Sequence, residues 1–420
     1  MPQAQGSLSQ VLAQREKSFK VIPVAQVKTK KVYFKTCSLA FTQNFEESLL
    51  IRGGLRHPTS SARGTTDVGG DITTELQANG MFVYAALGSM ESTMTGGTMG
   101  TALTTPAGVI DAINQTLTIT ATAHGLTAGD SVEIAGLTAP TSLNGKIFSV
   151  IDATSSSIAV ISIPMGTTTT FTLGTGTIKK VTAVGTTLTH TFKAGGALPS
   201  YQIEKGFTDI AQYFKYGGCK CGKLSLSVPS AGMIDVSTTW MGGSETYSGT
   251  SYETGTATDS GKRTFDAFSL AAADMKEGST PTAINYVTAL NNLTIDNDLD
   301  GDTFVVGGQG ARGGINPGVY KISGSVECLF QDLVLYTKAR AGTPSGLDLT
   351  FTRGTGAGTD GNETLQIVTP ELIFIPKSPA IDGPKGIRAT FDFNGYFDIG
   401  ADATALKVII KNAILPGSQT

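Results

Sequence analysis

The chain has 420 residues, which is enough for two or three domains that each bury a core. Its formal net charge of −3 leaves no basic excess of the kind that marks a protein built to grip nucleic acid. With 52 glycines, abundant Thr, Ser and Val, and few strong helix formers, the composition predicts a β-rich fold with many turns. The four cysteines, Cys37, Cys219, Cys221 and Cys328, are too few for a disulfide framework, and a reducing compartment is expected. Met1–Lys20 carries no apolar h-region, so no export signal is expected. No run approaches the ~20 apolar residues of a membrane helix, so no membrane partner is expected.

Residues 1–32 are polar and end in a basic run, Lys28, Lys30 and Lys31. They read either as a disordered tail or as an arm that orders on a neighbouring subunit. Val32–Thr42 alternates like a strand. A Gly- and Arg-rich loop is predicted from Arg52 to Gly70, and Asp71–Leu76 reads as a short strand or a helix entry. Met81–Leu87 predicts a helix stopped by Gly88.

Residues 105–185 differ from their surroundings in having few charges and many threonines. Short strands are predicted at Thr116–Ala121, Ser131–Ile134, Lys146–Ile151, Ile158–Ile163 and Thr170–Leu173. Together they suggest a small β barrel or sandwich inserted at a loop tip, where insertions are tolerated. Tyr201–Lys205, Lys223–Val228 and Met233–Trp240 follow as strands. Residues 244–286, rich in Gly, Ser, Thr and Asp, read as a linker or long excursion. Asn292–Ile295 then opens a second series. It continues through a helix over Asp332–Ala341, with an Asp cap, a basic last turn and Gly342 beyond it. Strands follow over Leu347–Phe351, Thr364–Pro376, Gly386–Phe397 and Ala405–Lys411.

This second series repeats the first. Leu39–Gly88 lies over Leu293–Gly342 without a gap at a shift of 254 residues. Leu39 falls on Leu293, Phe41 on Ile295, Phe45 on Leu299 and Leu50 on Phe304. Gly53, Gly54, Gly64, Gly70 and Gly88 fall on Gly307, Gly308, Gly318, Gly324 and Gly342, where chance gives roughly one such coincidence. Glycines recur at fixed places where the backbone needs φ > 0 or a close approach. One structural unit built twice is the expectation.

Motifs that carry chemistry are absent or incomplete. Asp296, Asp298, Asp300 and Gly301 match the start of a calcium loop, but its twelfth position, where a bidentate Glu belongs, is Gly307. Gly308, Gly310 and Gly313 spell G-x-G-x-x-G, yet Ile315-Asn316-Pro317-Gly318 follows and cannot start the helix a dinucleotide site requires. His57, His124 and His190 stand at no metal-ligand spacing, and the Cys219–Cys221 pair has no second pair near it. Trp240, Phe391 and Phe393 read as core. No catalytic residue, cofactor or metal site is nominated, and the chain is expected not to be an enzyme. Arg52, Arg56 and Arg63 share one loop, and Arg312 lies in the matching loop of the repeat. They are read as contacts across a subunit boundary, where Arg is enriched. A nucleic-acid patch and a bland solvated loop are the other readings.

The stretch Gly64-Thr65-Thr66-Asp67-Val68-Gly69-Gly70-Asp71-Ile72-Thr73-Thr74-Glu75-Leu76, followed by the helix ending Ala85-Ala86-Leu87-Gly88, resembles the major tail tube proteins of phages with long non-contractile tails. His124–Asp130, with Leu143–Lys146 and Phe148–Val150, is similar to small β modules inserted in phage tail proteins. The resemblance implies a mainly β chain of two tandem tail-tube-like sandwich domains, each with a short flanking helix, plus an inserted small barrel or Ig-like domain. On the present boundaries, 1–32 is an arm and 33–104 with 186–243 is the first tube domain. The insertion is 105–185, the linker 244–286, the second tube domain 287–413 and the tail 414–420. The implied function is structural: stacked rings, predicted as trimers with pseudo-sixfold symmetry, forming a channel for DNA into the host. Implied partners are other copies of the chain, tail tip and terminator proteins, a tape-measure protein in the lumen, and duplex DNA passing without sequence specificity. The implied location is the virion tail, assembled in the host cytoplasm. A β-rich cell-surface or carbohydrate-binding virion protein is the alternative.

Overall fold

In the computed structural model the described residues are 3–24, 28–50, 57, 60–104, 106–155, 157–164, 170–194, 197–278, 282–284, 287–381, 383–400 and 402–418. The fold is mainly β, and every ladder between its strands is antiparallel. The N-terminal set opens with β1 (Ser9–Arg15), β2 (Lys30–Val32), β3 (Thr36–Cys37), β4 (Ala40–Glu47) and β5 (Ser61–Glu75). Helix α1 (Met81–Leu87) follows, and Gly88 ends it at a left-handed φ of 86°, donating its N–H back to the Tyr84 carbonyl. Next come β6 (Gly88–Thr95), β7 (Thr98–Ala102), β8 (Ala107–Asp111), β9 (Thr116–Thr120), β10 (Ser131–Ala135), β11 (Lys146–Ser155), β12 (Ile158–Ser162), β13 (Thr177–Ala183) and β14 (Thr187–Ala194). The set ends with β15 (Tyr201–Phe207), β16 (Gln212–Val228), β17 (Asp235–Gly242) and β18 (Ser244–Ser248). The C-terminal set is β19 (Leu270–Glu277), β20 (Thr282–Ala283), β21 (Val287–Asp296), β22 (Lys321–Leu329), α2 (Val334–Ala341), β23 (Ser345–Thr352), β24 (Thr364–Ile375), β25 (Arg388–Tyr396) and β26 (Lys407–Asn412). Asp332 starts α2 by accepting the Val334 N–H at 3.0 Å, and Gly342 ends it at φ 62°.

The two sets pair in the same order. β1 lies between β2 and β15, as β19 lies between β20 and β23. β16 takes β15, β17 and β18 as partners, as β24 takes β23, β25 and β26. β5 crosses to β17 with Gly70 opposite Trp240, and β22 crosses to β25 with Gly324 opposite Phe393. Both glycines stand where a side chain would collide. A Cβ on Gly324 would meet the Phe393 ring, and Gly70, at φ +146°, lies against the Ser38 and Leu39 backbone. One continuous core runs through both sets, from Leu39, Tyr84 and Trp240 to Leu293, Phe374, Phe393 and Ile410.

Between β6 and β14 the chain forms a module with a core of its own, built on Leu117, Ile119, Val132, Ile134, Phe148, Ile161 and Ile178. Its strands run β8-β9-β12-β11-β10-β13-β7. β6 and β14 form the two-stranded stem, and β14 also pairs with β26. The module is tied to the N-terminal segment as well. Arg15 bonds Ser162 and the Asn114 carbonyl, Lys17 pairs with Asp152, and Lys28 with Asp130.

Several sequence expectations change. Residues 9–15 are neither tail nor arm: β1 sits inside the sheet, and its polar Gln14 and Arg15 are buried. Polar composition hid a strand whose charged end is bonded to the module. The stretch Gly64–Gly70, expected as loop, is strand. The excursion is wider than 105–185, because its stem begins at Gly88 and ends at Ala194. Thr170–Leu173 supplies only a bridge from Thr172 to Ala139. Residues 244–286 are no plain linker, since they hold β18, β19 and β20. Their polar side chains bind locally, as in the Asp266–Ser269 capping box. The tail over 414–418 is packed down, with Gly417 donating to Ser131. The two sets also share a core rather than standing as separate domains, because β16 and β21 form one ladder.

Candidate assembly surfaces

The sheet has two kinds of border, one filled within the chain and one left open. The filled border is the ladder of β16 with β21, where Asp296 faces Lys223, Ile295 faces Leu224 and Leu293 faces Leu226. Beside it Asn297, buried, donates its Nδ2 to the carbonyls of Ala86 and Cys221, each at 3.0 Å. A cavity of about 50 Å³ remains where Leu293 and Ile295 meet Met81 and Phe82 of α1.

The loop after β21 folds across the N-terminal set. Thr66 donates both its N–H and its hydroxyl to the Gly310 carbonyl, at 2.8 and 3.0 Å. Arg312, buried, holds Asp67 at 2.6 Å, the Gly242 carbonyl at 3.0 Å and the Gly301 carbonyl at 2.8 Å. Lys20 and Lys220 donate to the Arg312 and Ile315 carbonyls. Arg312 thus lies at a boundary between the two sets of one chain, with its guanidinium bonded there. Arg63 is exposed on β5 opposite Phe45. Arg52 and Arg56 lie outside the described residues.

The open border is β4. In the described residues it pairs only with β5, and its apolar side chains face outward: Phe41 is 37% and Phe45 62% exposed. Leu49 and Leu50 extend this apolar strip. A second open region surrounds α2. There Ala339 alone is fully buried, whereas α1 buries Met81, Tyr84, Ala85, Ala86 and Leu87. Leu333 and Val334 are 58% and 55% exposed, and Ile375 at the end of β24 is half exposed. Unpaired strand edges and contiguous apolar patches are what proteins cover by association.

The other sequence-nominated groups are structural. Asp296 and Asp300 accept the N–H two residues on, at 2.9 and 3.0 Å, as side chains in tight turns do. The strand-like bridge from Phe304 to Arg312 makes the G-x-G-x-x-G stretch a hairpin-shaped loop. His190 is buried between Ser92 and Asn412, and burial pulls its pKa down to about 4. Burial pushes the thiols of Cys219 and Cys221 well up, the second to about 12, away from reactive thiolate. Glu16, which sequence reading passes over, is buried and accepts N–H groups from Gly218 and Lys20, and burial raises its pKa. Asn297 is missed as well. Its signal is an amide at the same place in both aligned stretches, since Gln43 is its counterpart at the shift of 254.

The sequence pattern of phage tail tube proteins matches this chain over residues 6–395. The chain belongs to the phage tail tube protein family. No curated protein matches it. As a tail tube protein it is a structural subunit of the virion tail that assembles with copies of itself.

Proposed function

We propose that this tail tube subunit carries a duplicated tube fold with a small β domain inserted in the first copy, and that it serves a long non-contractile tail. Three chains then close a ring of six folds with pseudo-sixfold symmetry, and rings stack into a conduit for DNA. The observation that carries this reading is the repeated pairing order with one joint made and its counterpart open. A head-to-tail joint between copies closes into a ring when its rotation divides the circle. β16 with β21 supplies that joint inside the chain, while one side of β4 and of the end of β24 stays open among the described residues.

The same reading assigns no catalytic role. It expects a tape-measure protein in the lumen before DNA, terminator and tip proteins at the two ends, and assembly in the host cytoplasm. A lumen that lets duplex DNA slide has to avoid dense cationic phosphate contacts, since even ~6–10 per site hold DNA strongly at low salt. A chain with 34 acidic and 31 basic side chains accords with that need. Native mass measurement of isolated rings tests the stoichiometry. Three chains of 43.5 kDa are expected per ring. Six chains per ring, or a protein that stays monomeric at high concentration, overturns it.

A further inference from the structure

The joint made inside the chain has a counterpart for each of its members. Thr42 faces Asp67 as Asp296 faces Lys321, so Leu39–Thr42 stand where Leu293–Asp296 stand. Trp240 and Phe393 occupy matching places, opposite Gly70 and Gly324. On their other side stand Cys221 and Phe374, followed by Lys223 opposite Thr239 and Ile375 opposite Asp392. Lys223 therefore matches Ile375. Gln43 stands where Asn297 stands, and Arg340 near the end of α2 where Ala86 stands near the end of α1.

We infer that in the assembled ring β4 of one protomer lies antiparallel to the end of β24 of its neighbour, with Thr42 opposite Ile375. Phe41 then lies beside the exposed face of α2, as Ile295 shares a cavity wall with Met81 and Phe82 of α1, and the Gln43 amide donates to the Arg340 and Phe374 carbonyls of the neighbour. This deepens the ring reading above and rests on it. The occupant is a second copy of this chain because the covered joint is already built from this chain's own sequence. Both surfaces carry exposed apolar side chains, Phe41 on one and Leu333 and Val334 at the start of α2 on the other, next to the half-buried Leu335 and Tyr336 that stand where Met81 and Phe82 stand. Arg340 lies in the last turn of α2, where carbonyls lack helical partners.

Two differences shape the new joint. β16 has an extra residue between Cys221 and Lys223, whereas the ladder of β24 runs unbroken from Phe374 to Ile375. Gln43 has one methylene more than Asn297, which supplies reach where the bulge is missing. Pro376 and Pro379 follow Ile375, and proline gives no N–H to a ladder. The intermolecular ladder is therefore shorter than the internal one, and the apolar contact and the amide carry more of it.

The test uses the full chain with Thr42→Cys and Ile375→Cys together, both at exposed positions. Residues opposite each other in an antiparallel ladder sit within the Cα separation a disulfide needs. After mild oxidation the inference expects a covalent ladder ending at three chains, absent from either single variant. Rings seen by microscopy without that ladder overturn this register and leave the ring reading standing. If the wild-type chain forms no rings at all, both fall. As a second measurement, Gln43→Ala is expected to leave the melting temperature of the unassembled chain unchanged while weakening assembly about tenfold. Assembly equal to wild type removes the amide from the joint.

Discussion

β4 and β21 hold the same place in their sets, pair with matching partners in matching register, and differ in what lies on the other side. β21 has β16 there, and Leu293 and Ile295 are buried. β4 has nothing there among the described residues, and Phe41 and Phe45 face outward. The helices repeat the contrast, with α1 buried along most of its length and α2 bare on one side. On the proposed reading, apolar residues at matching sites serve stability where the partner is in the same chain and association where it is not.

The largest expected effect separates these roles. Ile295→Asp buries an unpaired charge and is expected to lose more than ~4 kcal/mol, leaving no folded chain. Phe41→Asp sits on an exposed edge and is expected to stay within ~0.5 kcal/mol of wild type while failing to form rings. Denaturant melts of the unassembled protein and sedimentation of the assembled one check the pair. Equal destabilisation by both substitutions erases the contrast.

A smaller effect concerns the paired aromatics. Trp240→Ala and Phe393→Ala each empty a core site and are expected to lose ~3–5 kcal/mol. Their glycine partners differ more. Gly324→Ala pushes a methyl into the Phe393 ring and against the Asn292 carbonyl, without a left-handed backbone, and is expected to lose ~1–3 kcal/mol. Gly70→Ala meets main chain and adds strain at φ +146°, so its loss should be the larger of the two. Melting temperatures of the two alanine variants decide the order.

How much of this is legible in the sequence depends on where each residue finds its partner. The recurrent glycines Gly70 and Gly324 can be read because the chain makes a close approach at each, to the Ser38–Leu39 main chain at one and to the Phe393 ring at the other, and a missing side chain leaves a mark. The helix stops at Gly88 and Gly342 can be read because capping is local. β1 cannot, because the partners of Arg15, the Asn114 carbonyl and the Ser162 hydroxyl, lie 99 and 147 residues along the chain, and polarity alone reads as tail. Asn297 looks like one more polar residue in an acidic turn. Only its two carbonyl partners, on α1 and β16, mark it as the clasp between the sets. The proposed assembly edge is half legible: the matching of Leu39–Gly88 with Leu293–Gly342 is visible in sequence, but which stretch lacks its partner is not.

The smallest effect probes a border that only one set has covered. β26 carries β14 along its outer edge, while its counterpart β18 pairs only with β16 among the described residues. His190 clasps the covered edge. Asn412 donates its Nδ2 to the Ala78 carbonyl, so its Oδ1 accepts from His190 Nε2–H at 3.0 Å, and Nδ1 accepts the Ser92 hydroxyl at 2.8 Å. That is the neutral imidazole, and burial holds the folded pKa at about 4, against an ordinary value of 6.5. Between those values the unfolded chain binds the proton and the folded chain does not, so stability falls as pH drops through this window. The expected slope is about 1.4 kcal/mol per pH unit, complete below the folded value. His190→Gln keeps a donor toward Asn412 and removes the titration, so its melting temperature should fall less between pH 6.5 and pH 4.5 than that of wild type. Parallel profiles would mean that the clasp on β26 does not titrate, and that acid sensitivity comes from elsewhere in the fold.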